Sequence, residues 1–318
     1  MRILETAPGA KLLALGHYQP STIVSNEQLA KTMDTSDEWI QSRVGIKERR
    51  VAGDAESLED MAAQAGGKAL AASGLAASDV DLVIVATCTL ESQIPNAAAV
   101  VAHRLGIDAP GAFDVNAACA GFCYALATAD NAIRAGSARH VLVIGAEKLS
   151  QWIDWTDRST AVIFADGAGA AVVGPSDAPG IGPVVWGSSG DRSDAIMIPD
   201  RHGSLRQEGQ TVFRWATTAL HPVAKQACER AGVDPSELSA FIPHQANLRI
   251  IEAIARKLGA DKAVVARDIV HAGNTSAASI PLALSRMLER GEVRSGELAL
   301  VLGFGAGLTY AGQVIEIP

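Results

Sequence analysis

The sequence matches itself at an offset of about 155 residues, a duplication that restricts the chain to two copies of one folding unit. In the first copy, KALAASGLAASDVDLVIVATC begins at Lys68 with helix-like apolar spacing. Gly74 follows as a C-terminal stop, then Ser78-Asp79-Val80 and a continuous apolar strand. In the second, KQACERAGVDPSELSAFIPHQ begins at Lys225 and repeats that order through Gly232, Ser236-Glu237-Leu238 and AFIP. AAAVVAHRLGID then pairs with RIIEAIARKLGAD, and ALATADNAIRAGSARHVLVIGAEK with LALSRMLERGEVRSGELALVLGFG. Strands with continuous Val, Ile and Leu are covered on both faces, and their alternation with helices predicts an α/β fold of mostly parallel mixed sheets between helical layers. The halves divide as 1–175, with Cys119, and 176–318, with His244 and Asn274.

The duplication also aligns chemistry. Cys119 and Asn274 each stand just before the long buried helix of their half, and His244 ends a strand where the first half has Ala86. The three are expected to converge near the pseudo-twofold axis. One segment is unrepeated, SNEQLAKTMDTSDEWIQSRVGIKERRVA, whose Ser25/Gln28 and Thr35/Glu38 pairs read as helix capping boxes. Helices inserted into a duplication are candidates for substrate contact.

Composition removes several classes of function. A net charge of −8 excludes nucleic acid as a general partner, so an anionic partner must be met by a local basic patch. Pro8, His17, Gln19 and Pro20 interrupt what would be the apolar centre of a signal peptide, and the apolar runs VDLVIVATCTL and ELALVLGFGAGL fall well short of a membrane helix. A cytoplasmic location and no membrane partner are therefore expected. The 4 cysteines are expected to be reduced thiols.

Among those cysteines Cys119 stands out, because in DVNAACAGFCYALATADNAI it opens a helix. There the positive end of the dipole and unpaired N–H groups favour a thiolate. The alternative is packing as a small hydrophobe, which is the reading adopted for Cys88, Cys123 and Cys228. Cys119 and Cys123 lack a second close pair of ligands, so no metal site is expected. His244, in FIPHQANLRI, follows a buried strand at the sheet edge where open α/β folds place ligands. Asn274, in HAGNTSAASIP, sits at a helix start, which equally describes an N-cap. The glycine runs FADGAGAAVV and LGFGAGLTYAG lack the Lys-Ser/Thr of a phosphate loop, and are read as letting backbone N–H groups approach a reacting oxygen.

Taken in order, TSDEWIQSRVGIKERR, AACAGFCYAL, DRSTAVIFADGAGA, IPHQANLRI, GNTSAASIPLAL and GFGAGLTYAG cover essentially the whole chain. Together they resemble the β-ketoacyl-acyl carrier protein synthase III family, which starts bacterial fatty acid synthesis on a thiolase-like layered αβαβα fold. The resemblance implies a homodimer that condenses an acyl-CoA primer with malonyl-acyl carrier protein, through an acyl group on Cys119. It makes His244 and Asn274 the donors to a decarboxylation enolate, and the N–H groups of Cys119 and Gly305 the oxyanion hole. CoA falls to Trp39, Arg43, Arg158, Gly209 and Asn247, as a substrate with no cofactor required. The primer falls to Ile94, Leu149 and Phe164, and the acidic carrier protein to Arg214, Arg249, Arg256 and Lys257.

The chain departs from the family pattern at Ala165, a glycine in FGDGAGA, and at Ile94, where some relatives carry a phenylalanine that crosses the dimer into the primer pocket. The smaller Ile94 implies a primer longer or more branched than acetyl. Rival readings are a starter-unit synthase or acyltransferase of polyketide metabolism, a Cys-His hydrolase, and a non-catalytic carrier-protein partner. The intact triad argues against the last of these, and the converging asparagine and glycines against the hydrolase.

Overall fold

The computed structural model describes residues 7–200 and 202–318. Its first strands are β1 (Gly9–Tyr18), β2 (Thr22–Ser25), β3 (Glu48–Val51), β4 (Leu82–Ala86), β5 (Gly111–Val115), β6 (Val141–Lys148) and β7 (Asp166–Ser176). The later ones are β8 (Val185–Ser188), β9 (Ile196–Met197), β10 (Arg206–Gln207), β11 (Ala240–Pro243), β12 (Val264–Val265), β13 (Leu298–Gly305) and β14 (Thr309–Glu316). Two five-stranded sheets form, ordered β1-β7-β6-β4-β5 and β12-β11-β13-β14-β8. Strand for strand, one is the counterpart of the other. Each is mixed: β6-β4-β5 and β13-β11-β12 run parallel, while β1, β7, β14 and β8 add antiparallel. β13 reaches β14 through a short turn, which only an antiparallel pair permits.

The continuous apolar strands are explained by cover on both faces. Along β4, Val83 and Val85 pack outward with Met61, Ala65 and Val101 of helices Leu58–Ser73 and Ala97–Arg104. Ile84 and Ala86 pack inward with Phe122, Leu126 and Ile280 of helices Gly121–Arg134 and Ser279–Glu289. β13 divides likewise, with Ala299 and Val301 inward and Leu300, Leu302 and Phe304 against helix Gly209–Ala231. The result is five layers, helix-sheet-helix-sheet-helix, with the inner helices shared by both sheets. Each fully buried Val, Leu or Ile contributes about 1.5–3 kcal/mol.

Register corrects one detail of the duplication. Leu82 pairs with Val141 as Ala240 pairs with Ala299, and the same register superposes the turn Ala118–Ala120 on Ser276–Ala278. Both turns open on a residue with positive φ, 45° at Ala118 and 47° at Ser276. Both are capped by an asparagine: Asn116 Oδ1 accepts from Ala118 N–H at 3.3 Å and Asn274 Oδ1 from Ser276 N–H at 2.8 Å. Asn274 therefore matches Asn116, and Cys119 matches Ala277, rather than Cys119 matching Asn274. His244 follows β11 where Ala86 ends β4, as read from the sequence.

These inner turns meet the opposite half at glycines. A Cβ on Gly145 of β6 would collide with the carbonyl oxygen of Ala277, and one on Gly303 of β13 would stand 2.8 Å from Ala120 Cα. In FADGAGAAVV the reason for glycine is packing, because a Cβ at Gly169 would strike the backbone of Leu282 and Pro281. That corrects the reading of this run as an approach for backbone N–H groups to a reacting oxygen.

The unrepeated segment folds over the site as helices Asn26–Leu29 and Asp37–Val44 beside the β2/β3 hairpin. Ser25 and Gln28 form the expected capping box. The second cap is Ser36, accepting from Trp39 N–H at 3.1 Å, in place of Thr35/Glu38. Arg49, fully buried, donates to Asn26 Oδ1 and to the carbonyl of Val162, tying this cap to the loop beside Asn274.

Gly145→Ala is expected to cost about 1–3 kcal/mol in urea unfolding, by overpacking against the Ala277 backbone. Gly53→Ala, where a Cβ meets nothing within 4 Å, should stay within about 0.5 kcal/mol of the native protein.

Candidate active site

Cys119, His244 and Asn274 are buried and line one cavity of about 830 Å³. Cys119 sits in the turn ahead of helix Gly121–Arg134. Burial pushes its thiol up to about 12, against the Ser276 hydroxyl and the backbone N–H groups of Cys119 and Ala306, which lower it. Cys119 is therefore held as a thiol, where the helix start alone suggested a thiolate, because desolvation outweighs the dipole. Gly305 lies against it: a Cβ there would be 2.8 Å from Cys119 Sγ, so only glycine lets this strand end approach the sulfur.

His244 is held by its backbone, whose N–H donates to Leu302 C=O at 2.8 Å, and by its ring, whose Nδ1 lies 2.7 Å from Ser279 Oγ. Ser279 Oγ also accepts from Gln245 N–H at 3.3 Å, which fixes the hydroxyl beside the ring. With Nδ1 engaged by Ser279, Nε2 is the ring nitrogen left for a ligand. Burial pulls the imidazole down to about 3, which keeps it neutral, and Phe304 packs across it with ring centroids 5.2 Å apart.

Asn274 is fixed on three sides. Its N–H donates to Ile163 C=O and its C=O accepts from Ala165 N–H, both at 2.9 Å, while Oδ1 caps the Ser276 turn. Nδ2 remains as a donor. The cap predicted for Asn274 and the active-site role are thus both available to one side chain, through different atoms.

The cavity mouth carries the other predicted residues. Arg158 lies over the Trp39 ring at 4.7 Å and Arg43 at 5.9 Å. Asn247 caps helix Leu248–Leu258 through Arg249 N–H and donates to Arg43 C=O at 3.1 Å. Gly209 has open space beyond its Cα. Arg214 and Arg249 line the mouth, the latter stacked on Phe213 at 5.1 Å, whereas Arg256 and Lys257 lie further along the same helix outside the cavity. Leu149 and Phe164 are in the cavity wall. Ile94 is not: it is 85% exposed and lies outside the cavity.

Several wall residues went unread in the sequence. Cys88, assigned to core packing, lines the cavity and donates to Glu147 Oε1 at 3.3 Å. Ser276, Ser279 and Phe304 surround the triad. Glu147 carried a signal, being a carboxylate inside the apolar run VLVIGAEK.

Paired sheets sharing an inner helical layer, with a thiol, an imidazole and a carboxamide on their inner ends, define a condensing enzyme of the thiolase-like class. The chain belongs to the 3-oxoacyl-[acyl-carrier-protein] synthase III family, whose model matches residues 113–190 and whose C-terminal model matches residues 228–317. Its relatives include β-ketoacyl-[acyl-carrier-protein] synthase III 4 of Streptomyces coelicolor, 57% identical over 98% of this chain and 99% of that protein. The mycobacterial synthase III of Mycobacterium avium is 50% identical over 96% of this chain and 95% of that one. Among solved structures, the priming β-ketosynthase of the R1128 polyketide pathway superposes with a TM-score of 0.97 at 43% identity, covering 100% of this chain and 98% of that one. The synthase III of Aquifex aeolicus gives a TM-score of 0.92 at 43% identity, over 97% and 100%.

Ser279→Ala should lower turnover on the order of 10–100-fold, since it frees the ring to change tautomer and orientation; ¹⁵N NMR of His244 would register a change in the tautomer balance. A second expectation concerns acid. The folded-state pKa of His244 lies below its unfolded value of 6.5, so its contribution to stability is present above that pH and is lost as pH falls toward about 3. Urea midpoints measured across that window should fall less steeply for His244→Gln than for the native protein.

Proposed function

We propose that the protein condenses an acyl-CoA primer with malonyl-acyl carrier protein, with loss of carbon dioxide, to give a β-ketoacyl-acyl carrier protein. The observation that carries this reading is one cavity holding a buried thiol, a neutral imidazole held at Nδ1 and a free carboxamide N–H beneath a cationic, aromatic mouth. In the first half-reaction Cys119 attacks the primer thioester and the tetrahedral oxyanion is met by the N–H groups of Cys119 and Gly305. CoA leaves. In the second, His244 Nε2 and Asn274 Nδ2 donate to the thioester oxygen of the malonyl group, stabilising the enolate formed as the carboxylate departs. The carbanion then attacks the acyl-Cys119 carbonyl. A neutral imidazole suits this task, because it donates without neutralising the malonyl carboxylate whose negative charge drives decarboxylation.

Trp39 and Arg158 are the faces for adenine, Arg43 serves the phosphates, and Gly209 and Asn247 flank the pantetheine. The guanidinium already stacked on Trp39 supports this, since both planes also stack on a purine. Arg214, Arg249, Arg256 and Lys257 meet the acidic carrier protein. Homodimer formation and a cytoplasmic setting belong to the same proposal, as does a branched or longer primer, with Ile94 entering from the second subunit. A starter-unit role in polyketide synthesis is the second reading, and the close superposition on a priming ketosynthase is what favours it.

The test is carbon dioxide release from malonyl-acyl carrier protein, with acetyl-CoA and isobutyryl-CoA as primers. Coupled release and β-ketoacyl product, abolished in Cys119→Ala, is the expected result. Acyl loading on Cys119 without release would instead indicate a non-decarboxylating acyltransferase, and a strong acetyl preference would remove the branched-primer proposal.

A further inference from the structure

Helix Gly209–Ala231 starts at the cavity mouth, which its Arg214 lines, and runs on beside helix Leu248–Leu258. In a chain of net charge −8, no carboxylate occurs from Gly209 to Cys228. Helix Leu248–Leu258 has one, Glu252, and it lies 3.7 Å from Arg267. Cations are collected on these two helices and acids kept off them, a surface suited to a negatively charged partner. Arg214, His221 and Lys225 share one face of the longer helix, the two cations exposed and His221 half-buried. Lys257 links the helices, its Nζ donating to Thr217 C=O at 2.7 Å. A helical carbonyl points toward the residue four places on, so this ammonium stands at the turn that His221 occupies. Lys225 is one turn further on the same face. His221 is thus set between two cations, and its Nδ1 is buried with no hydrogen-bond partner among the described residues.

We propose that the acidic carrier protein docks along this face as far as Lys225, and that His221 takes up a proton as it does so. This rests on the carrier protein being the partner, and it adds His221 and Lys225 to the four cations that the resemblance assigned. Before docking, burial and the charges of Lys257 and Lys225 hold the imidazole below its ordinary 6.5, so it is neutral at pH 7. A partner carboxylate set against the two lysines cancels the repulsion that kept the proton away and gives an imidazolium its acceptor. One proton then passes from solvent to an imidazole nitrogen. Linkage makes docking tighten as pH falls, by at most about tenfold per pH unit for a single proton.

The charged groups on the surrounding elements leave His221 unopposed. Lys257 and Lys225 are those that act on the ring, and no carboxylate among the described residues does. On helix Leu248–Leu258, Arg249 is stacked on Phe213, Glu252 lies beside Arg267, and Arg256 Nε donates to Glu252 C=O at 3.3 Å. On the ring's own helix, Glu229 and Arg230 lie beyond Lys225, Arg230 donating to Val184 C=O at 3.0 Å. Asp234 and Glu237 close the turn that follows, bonded to backbone N–H groups there. Segment Gly190–Ala195, packed on this helix, carries Asp191, Arg192 and Asp194, with Asp191 3.7 Å from Arg192, and β14 ends in Glu316. An anionic lipid surface would also suit the charge. Position decides against it, because Arg214 and Arg249 line the cavity mouth, where a substrate must enter.

Calorimetry with unloaded acyl carrier protein, in buffers of different ionisation enthalpy from about pH 6 to about pH 8, counts the protons taken up on binding. The native protein is expected to take up a fraction of one proton and to bind several-fold more tightly at the acid end of that range. His221→Gln should remove the uptake and flatten the profile, whereas Lys225→Gln should weaken binding on the order of 2–10-fold at every pH. Uptake of the same size in His221→Gln would overturn the proposal. So would native affinity in Lys225→Gln, since the partner then stops short of that turn. NMR titration of the His221 ring in the native protein asks the same question without a variant, and a pKa that does not rise when carrier protein is added overturns proton uptake. If vesicles of anionic phospholipid raise it and the carrier protein does not, the choice of partner is wrong. Carbon dioxide release separates this surface from the reading of the active site. Binding with proton uptake but no release counts against condensation and leaves the surface standing; release with no proton uptake does the reverse.

Discussion

Two short turns pressed into opposite sheets hold this molecule together at its centre. Ala118–Ala120, from the first half, packs against Gly303 and Gly305, and Ser276–Ala278, from the second, against Gly145. Backbone approach at that distance requires residues without Cβ, and it brings the starts of the two inner helices within reach of both sheets. The Cys119 sulfur, the His244 ring and the Asn274 amide are then neighbours because their turns and strand ends are. No loop has to fold over to assemble them. What the unrepeated segment adds is a roof, pinned by the buried Arg49 to Asn26 and Val162.

Burial at this junction also sets the chemical state of the site. Desolvation holds Cys119 protonated and His244 neutral, so the cavity carries neither a thiolate nor an imidazolium. Glu147 is surrounded by N–H and O–H donors from both halves, and burial raises its carboxyl too. The cationic groups stand at the mouth, at Arg43, Arg158, Arg214 and Arg249, where solvent screens them and long anionic substrates can reach them.

Much of this arrangement was legible in the sequence, and the parts that were not share a cause. Strand and helix order followed from apolar runs and glycine stops, and Cys119, His244 and Asn274 were identifiable by where they punctuate those runs. The register of the duplication was off because the eye aligned two reactive residues, whereas the backbone aligns two asparagine-capped turns, Asn116 with Asn274. Ser36 in place of Thr35 is the ordinary ambiguity of adjacent hydroxyls at a helix start. Thiol ionisation was misjudged because a helix start is visible in sequence and burial is not. Ser279 and Cys88 escaped notice because their partners lie far away in the chain.

The corrected register has a consequence for how such a site arises. Ala277 stands where Cys119 does, Ala86 where His244 does, and Asn116 still keeps the cap that Asn274 has. Two identical subunits would present both sets, one on each side of their axis. Joined in one chain, the copies are free to diverge, so that one half supplies the thiol and the other the imidazole and the carboxamide. The counterparts keep the backbone of that symmetry, and the pocket the halves share is a division of labour that a symmetric pair of chains could not encode.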